Sequence, residues 1–170
     1  MENIYLVGFM GTGKTSVGKE LAKAKKYQFV DLDDLIELKE RRRITDIFAK
    51  DGELYFRKVE KKALKEVSQE NGFVVACGGG VVLDKDNIKL MKQTGKLICL
   101  SASAGAILKR VGSQSHRPLL NVPNPKRQID LLLKMRAPYY AQADKAIDTG
   151  KLSIKQVVSK VVKLVEAGKK

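Results

Sequence analysis

The pattern Gly8-x-x-x-x-Gly13-Lys14-Thr15 directly follows the apolar run Ile4-Tyr-Leu-Val7. Its residue types and spacing suit phosphate chemistry. A triphosphate needs several N–H donors aimed at one small volume. Backbone amides supply them where the chain can wrap closely, which favours residues without a Cβ at Gly8, Gly11 and Gly13. A helix expected from about Lys14 adds free N–H groups and the positive end of its dipole. Lys14 brings a mobile cation to the β- and γ-phosphates and is expected to face solvent in an empty site. Thr15 offers a hydroxyl to Mg²⁺. A glycine-rich turn without a ligand is the plainer alternative, but a buried strand before it and a helix after it favour phosphate binding. The dinucleotide-binding pattern fails, because Ser16 stands where its third glycine would fall.

Further residues could act beside this loop. Asp31 and Asp33, at i and i+2 of an expected extended segment, would point to one side. Two carboxylates at a strand end suit holding a hydrated Mg²⁺ and receiving or orienting an acceptor hydroxyl; they equally suit a turn and a cap. Asp34-x-x-Glu37 fits a capping box, so Asp34 is assigned to structure. Arg57, inside a long charged helix, reads on its own as a surface ion pair with Glu53 or Glu60. Gly78-Gly79-Gly80 ends an apolar run, and glycines there let a ligand or another backbone come very close. Arg117 lies near the middle of a turn-rich stretch from Gly112 to Pro125, a length typical of a functional lid or of disorder. The single histidine, His116, makes no metal site.

The elements that must position these groups follow from periodicity. Strands are expected at 4–7, 27–31, 73–77, 96–100 and 145–148. Helices are expected from 14, at 35–42, at 44–50 and 53–70 with a break at Asp51-Gly52, at 84–93, at 103–111 and at 126–142. In the last of these, which carries Arg136, Pro138 should kink or weaken the helix. A final helix from about Ser153 has Val157, Val158, Val161, Val162 and Val165 on one face. Strands alternating with helices predict a parallel sheet wrapped on both sides. Ligands in such sheets bind beyond the carboxyl ends of the strands. Asp31, the triple glycine and the glycine-rich loop all fall at such ends and should converge.

The 170 residues, 44% of them hydrophobic, predict one domain over 1–170. The apolar runs are strand-sized, so no membrane span or secretory leader is expected. Cys77 and Cys99 sit in strand-like runs without metal-ligand spacing and read as buried, reduced thiols of a cytoplasmic protein. The net charge of +14 invites a nucleic-acid reading, yet the lysines are dispersed and only 6% of residues are aromatic. Nucleic acid is therefore not expected as a partner. A basic chain also steers small anions inward.

The Gly8–Thr15 loop, Asp31-x-Asp33, Phe56-Arg57, Gly78-Gly79-Gly80, Arg117-Pro118-Leu119-Leu120 and Arg136-Ala-Pro138 stand in the order and spacing of the shikimate kinases, and the chain resembles that family up to about Asp148. The resemblance implies an α/β fold of the nucleoside-monophosphate-kinase kind. Its five-stranded parallel sheet would run in the order 2-3-1-4-5, with a substrate-binding subdomain at 32–60 and a lid at 112–124. It implies transfer of phosphate from ATP to the 3-hydroxyl of shikimate, within aromatic amino acid biosynthesis, with Mg²⁺, in a cytoplasmic monomer.

By the same resemblance Gly11, Thr12, Gly13, Lys14, Thr15 and Ser16 would hold ATP, joined by Arg110 and Arg117. Thr15, and Asp31 through water, would hold Mg²⁺. Asp33 would bind the shikimate hydroxyls and serve as base or orienting group, with Lys14 and Arg117 also catalytic. Arg57 and Arg136 would clamp the carboxylate, and Gly78, Gly79 and Gly80 would line the ring. Ala76-Cys77 departs from the Ser or Thr many members carry there, and the loop 149–153 names no adenine contact. A gluconate or nucleotide kinase, and a basic binding module without catalysis, are the competing readings.

Overall fold

The computed structural model describes residues 1–112 and 121–168. Five strands form one parallel sheet in the order β2-β3-β1-β4-β5: β1 (Asn3–Val7), β2 (Gln28–Asp31), β3 (Phe73–Ala76), β4 (Gly95–Ser101) and β5 (Lys145–Asp148). The expected order holds. Along β1 the side chains divide between two cores. Tyr5 and Val7 pack with Leu64, Val75, Met91 and Cys99, whereas Ile4 and Leu6 pack with Leu21, Ile98, Val157 and Val161. A central parallel strand is apolar on both faces for this reason.

One face is covered by α1 (Lys14–Lys25) and α7 (Ile154–Ala167), whose valine stripe is buried as expected. The other is covered by α3 (Ile44–Ser68) and α4 (Lys85–Thr94), with α2 (Leu32–Glu40) leaning on α3. Beyond the sheet's carboxyl edge, α5 (Ala104–Val111) and α6 (Pro125–Tyr140) enclose a third apolar cluster around Phe9, Ile107 and Ile129.

Two local expectations, at Asp34 and Pro138, are corrected, and a third, the break near Gly52, holds. Asp34 caps nothing: α2 begins at Leu32, and Asp31 is its cap, accepting from the Asp33 and Asp34 amides at 3.0 and 3.4 Å. Glu37 accepts instead from the Ile44 amide at 3.0 Å, at the start of α3. The expected break within α3 is present: Gly52, with φ of 81° and ψ of 176°, is non-helical and separates two helical halves. Pro138 sits in the last turn of α6, which continues to Tyr140. With only Tyr139 and Tyr140 beyond it, the ring has almost no helix left to kink.

Candidate active site

The glycine-rich loop leaves β1 at Val7 and turns back on itself. A Cβ on Gly8 would fall on the Leu100 carbonyl at the end of β4, so the residue must be glycine. Gly13, with φ 96°, is the N-cap of α1 and has no side chain to offer. Among the described residues, every other α-helix starts on a side-chain acceptor: Asp31, Glu37, Asp84, Ser103, Asn124 or Ser153. No acidic residue lies in the first turn of α1. That helix start is built for an anion from outside. Lys14 does not simply face solvent: its Nζ donates to the Gly8 and Phe9 carbonyls at 2.7 and 2.9 Å. A cation folded onto its own loop can swing to an arriving phosphate.

The loop opens on a cleft of ≈ 350 Å³ lined by Gly11, Gly13, Lys14, Thr15, Ser16, Asp31, Asp33, Ala76, Cys77, Gly78 and Gly79, with Met10. Strand register explains the convergence. Asp31 and Leu6 both pair with Ala76, so the strand ends stand level. Thr15 Oγ1 donates to Asp31 Oδ2 at 2.8 Å, placing a hydroxyl and a carboxylate side by side at the loop's mouth. Asp33 is in the first turn of α2, not on an extended segment. It reaches the same cleft by helical geometry. Its Oδ1 is buried without a hydrogen-bond partner. Burial, then the charge of Asp31, pushes its carboxyl up to about 6.

The triple glycine is the floor against which the arginines rest. A Cβ on Gly79 would stand 3.3 Å from Arg136 Nη1, and one on Gly80 only 2.7 Å from Arg57 Cζ. A Cβ on Gly78 would meet Asp33 Oδ1 at 2.9 Å and Glu60 Oε2 at 3.2 Å. Arg57 makes the predicted ion pairs, to Glu60 Oε1 at 2.8 Å and Glu53 Oε1 at 3.3 Å, yet its Nε is buried and unpaired. Glu60 is 1% exposed, and burial pushes its carboxyl up to about 7 despite Arg57. Arg136 lies over the Phe9 ring at 5.5 Å. Tyr140, one turn along α6, donates its phenol to the Gly79 carbonyl at 2.7 Å. The ion-pair and ligand readings of Arg57 are thus compatible: a paired guanidinium still has an unused edge.

Thr12 is buried behind the loop, its hydroxyl on the Phe9 carbonyl at 2.8 Å. Arg110 is anchored beside the loop. It donates to the Gly11 carbonyl at 3.0 Å and to Thr149, at Oγ1 (3.1 Å) and the carbonyl (2.8 Å). Arg117, His116 and Pro118-Leu119-Leu120 lie outside the described residues, as does most of the expected lid. Reading the sequence alone misses Tyr140 and Thr149. A tyrosine at a helix end and a threonine one residue past a strand carry no spacing signal. Only the fold brings them against Gly79 and Thr12.

A helix start without a cap, a lysine folded over the loop and carboxylates at the junction of β2 and α2, on this sheet order, define a P-loop kinase. A family model for shikimate kinase matches residues 10–166. The shikimate kinase of Thermodesulfovibrio yellowstonii is 45% identical over 98% of this chain and 96% of its own. That of Thermoanaerobacter pseudethanolicus is 44% identical over 96% and 95%. Among solved structures, the shikimate kinase from Acinetobacter baumannii in complex with shikimate superposes with a TM-score of 0.94 at 37% identity, over 99% of this chain and 95% of that one. A gluconokinase from Sinorhizobium meliloti, at 16% identity and a TM-score of 0.59, shares the fold alone. The chain belongs to the shikimate kinase family.

Proposed function

We propose that this chain transfers the γ-phosphoryl group of ATP to the 3-hydroxyl of shikimate, giving shikimate 3-phosphate and ADP. One observation carries the reading. A phosphate cradle and an unpartnered carboxylate line one cleft with Gly78 and Gly79, and two arginines rest against Gly79 and Gly80 of the same glycine run. Shikimate presents one carboxylate and three hydroxyls. Planar guanidinium forks suit the carboxylate, so Arg57 and Arg136 clamp it. The buried Asp33 Oδ1 accepts from a hydroxyl and, ionised, takes or orients its proton. Gly78, Gly79 and Gly80 keep the wall low enough for a ring to lie against the backbone.

Gly11 to Ser16 hold the phosphates by their amides, and Lys14 swings from the Gly8 and Phe9 carbonyls to the β- and γ-oxygens. The Thr15 hydroxyl and Asp31 carboxylate, 2.8 Å apart, are hard oxygen donors that fit Mg²⁺, Thr15 directly and Asp31 through water. That ion, when bound, would neutralise phosphate charge as it develops. Arg117 is assigned to the transferring phosphate on the family pattern alone, from a lid at 112–124, and the segment 32–60 to a substrate-binding subdomain. The chain is assigned to a monomer. Among the described residues no helix is long and apolar enough to cross a membrane, and both cysteines are free and buried, which suits the cytoplasm.

The test is a coupled assay of ADP formation with Mg-ATP and, side by side, shikimate, gluconate, AMP or no acceptor. Turnover that depends on shikimate alone is expected. Turnover with another acceptor would keep the phosphate cradle and discard the substrate assignment.

A further inference from the structure

Thr149 has no part in the chemistry above, yet it is 3% exposed and saturated with hydrogen bonds. Its amide donates to the Ser101 carbonyl at 2.8 Å, at the end of β4. Its carbonyl and hydroxyl oxygens both accept from Arg110. Its single hydroxyl proton lies within reach of the Thr12 carbonyl at 2.9 Å and the Ser101 carbonyl at 3.1 Å. Two successive loop carbonyls are therefore held from the same side, Gly11 by Arg110 and Thr12 by Thr149.

The geometry of the peptide unit gives this arrangement a direction. Across a trans peptide the C=O and the following N–H point opposite ways, and this chain has no cis peptide among the described residues. Holding the Gly11 and Thr12 carbonyls back toward α5 and β5 turns the Thr12 and Gly13 amides the other way. These are amides of the loop whose Gly11 and Gly13 line the cleft. Without those ties both peptide planes could rotate about glycines with φ of 73° and 96°, the softest points of the loop. We infer that Thr149 is a positioning residue for the nucleotide's phosphates: its hydroxyl, acting on the Thr12 carbonyl directly and on the Gly11 carbonyl through Arg110, presets the amide cradle. The inference rests on the phosphate reading of the loop and is independent of the acceptor.

The probe is inorganic tripolyphosphate, which has phosphates and no base, together with ATP. Binding of each would be measured by calorimetry on wild type, Thr149→Val, Thr149→Ala and Thr149→Ser, with thermal unfolding followed in parallel. Both hydroxyl-free variants should weaken tripolyphosphate and ATP alike, on the order of tenfold, the scale of one buried hydrogen bond. Thr149→Ser should restore both affinities, and KM for shikimate should stay within about twofold in all three. Weakened ATP with unchanged tripolyphosphate would overturn the inference, because Thr149 would then act at the base. Unchanged affinity for both, or no rescue by serine, would also overturn it. Wild type that binds neither probe would remove the phosphate reading itself and the inference with it.

Discussion

Gly80→Ala should separate binding from folding. The backbone at Gly80, φ −99° and ψ 3°, is open to any residue, so alanine brings no strain of its own. The new methyl would instead fall on the Arg57 guanidinium, 2.7 Å from Cζ, and a flexible side-chain end yields where a backbone cannot. Arg57 must move off the loop. If it supplies one of the two forks on the substrate carboxylate, the loss is a charge-assisted hydrogen bond of about 1.5–3 kcal/mol, or roughly 10- to 150-fold in KM for shikimate. Stability should barely change. Alanine stabilises by about 0.4–1 kcal/mol through the unfolded chain. Weakening the Arg57–Glu60 pair acts in the other direction, moderated because Glu60, with its carboxyl pushed up to about 7, can take a proton. The melting temperature should stay within about 4 °C. Steady-state kinetics in both substrates and a thermal melt read all three quantities. A folded variant with unchanged KM for shikimate would refute the clamp, and an equal rise in KM for ATP would refute its location.

Asp33→Asn should cut kcat by orders of magnitude while leaving ATP affinity near wild type, read by initial rates and nucleotide titration. In wild type the acid limb of the rate profile should lie near pH 6, where Asp33 loses its charge. Stability should move the opposite way. Asp33 and Glu60 both bind protons more tightly folded than unfolded, so the unfolding free energy should rise as pH falls from about 7 toward about 5, measured by denaturant melts. Lys14→Met should abolish turnover in a coupled assay; activity near wild type would remove the loop from catalysis. Tyr140→Phe, which strips the Gly79 carbonyl of its donor, should raise KM for shikimate about tenfold with little change in KM for ATP.

Strand ends were the legible part of this chain. Apolar runs bounded by Gly, Asp or charged residues marked all five strands, and with them the edge where Gly8, Asp31 and Gly78 meet. Ambiguity arose where one rule fitted two positions. Asp31-x-x-Asp34 and Asp34-x-x-Glu37 both read as helix starts, and the choice was made by β2 ending on its partner Ala76, a tertiary fact. Asp33 was expected on the right cleft for the wrong reason, since it turns inward on a helix. Arg57 was indistinguishable from a surface ion pair because its ion pairs are real; only its contact with Gly80, distant in sequence, gives it a second edge. The ties of Arg110 and Thr149 to the loop were opaque because their partners there are backbone carbonyls, which no side-chain pattern reports.

The central place of β1 has a consequence for how the protein comes into being. Of the five strands β1 comes first in the chain but lies between β3 and β4, so its neighbours are separated from it by about seventy and ninety residues of chain. Gly8 rests against the Leu100 carbonyl, and the Gly11 and Thr12 carbonyls are tied to Arg110 and Thr149. On a ribosome delivering the chain from its N-terminus, the complete Gly8–Thr15 motif emerges long before anything exists to shape it. The nascent protein carries its nucleotide signature early and acquires the ties that shape it only once Arg110 and Thr149 have emerged. Such distant pairings also make folding slow, leaving the apolar Ile4–Val7 segment in need of shelter in the meantime.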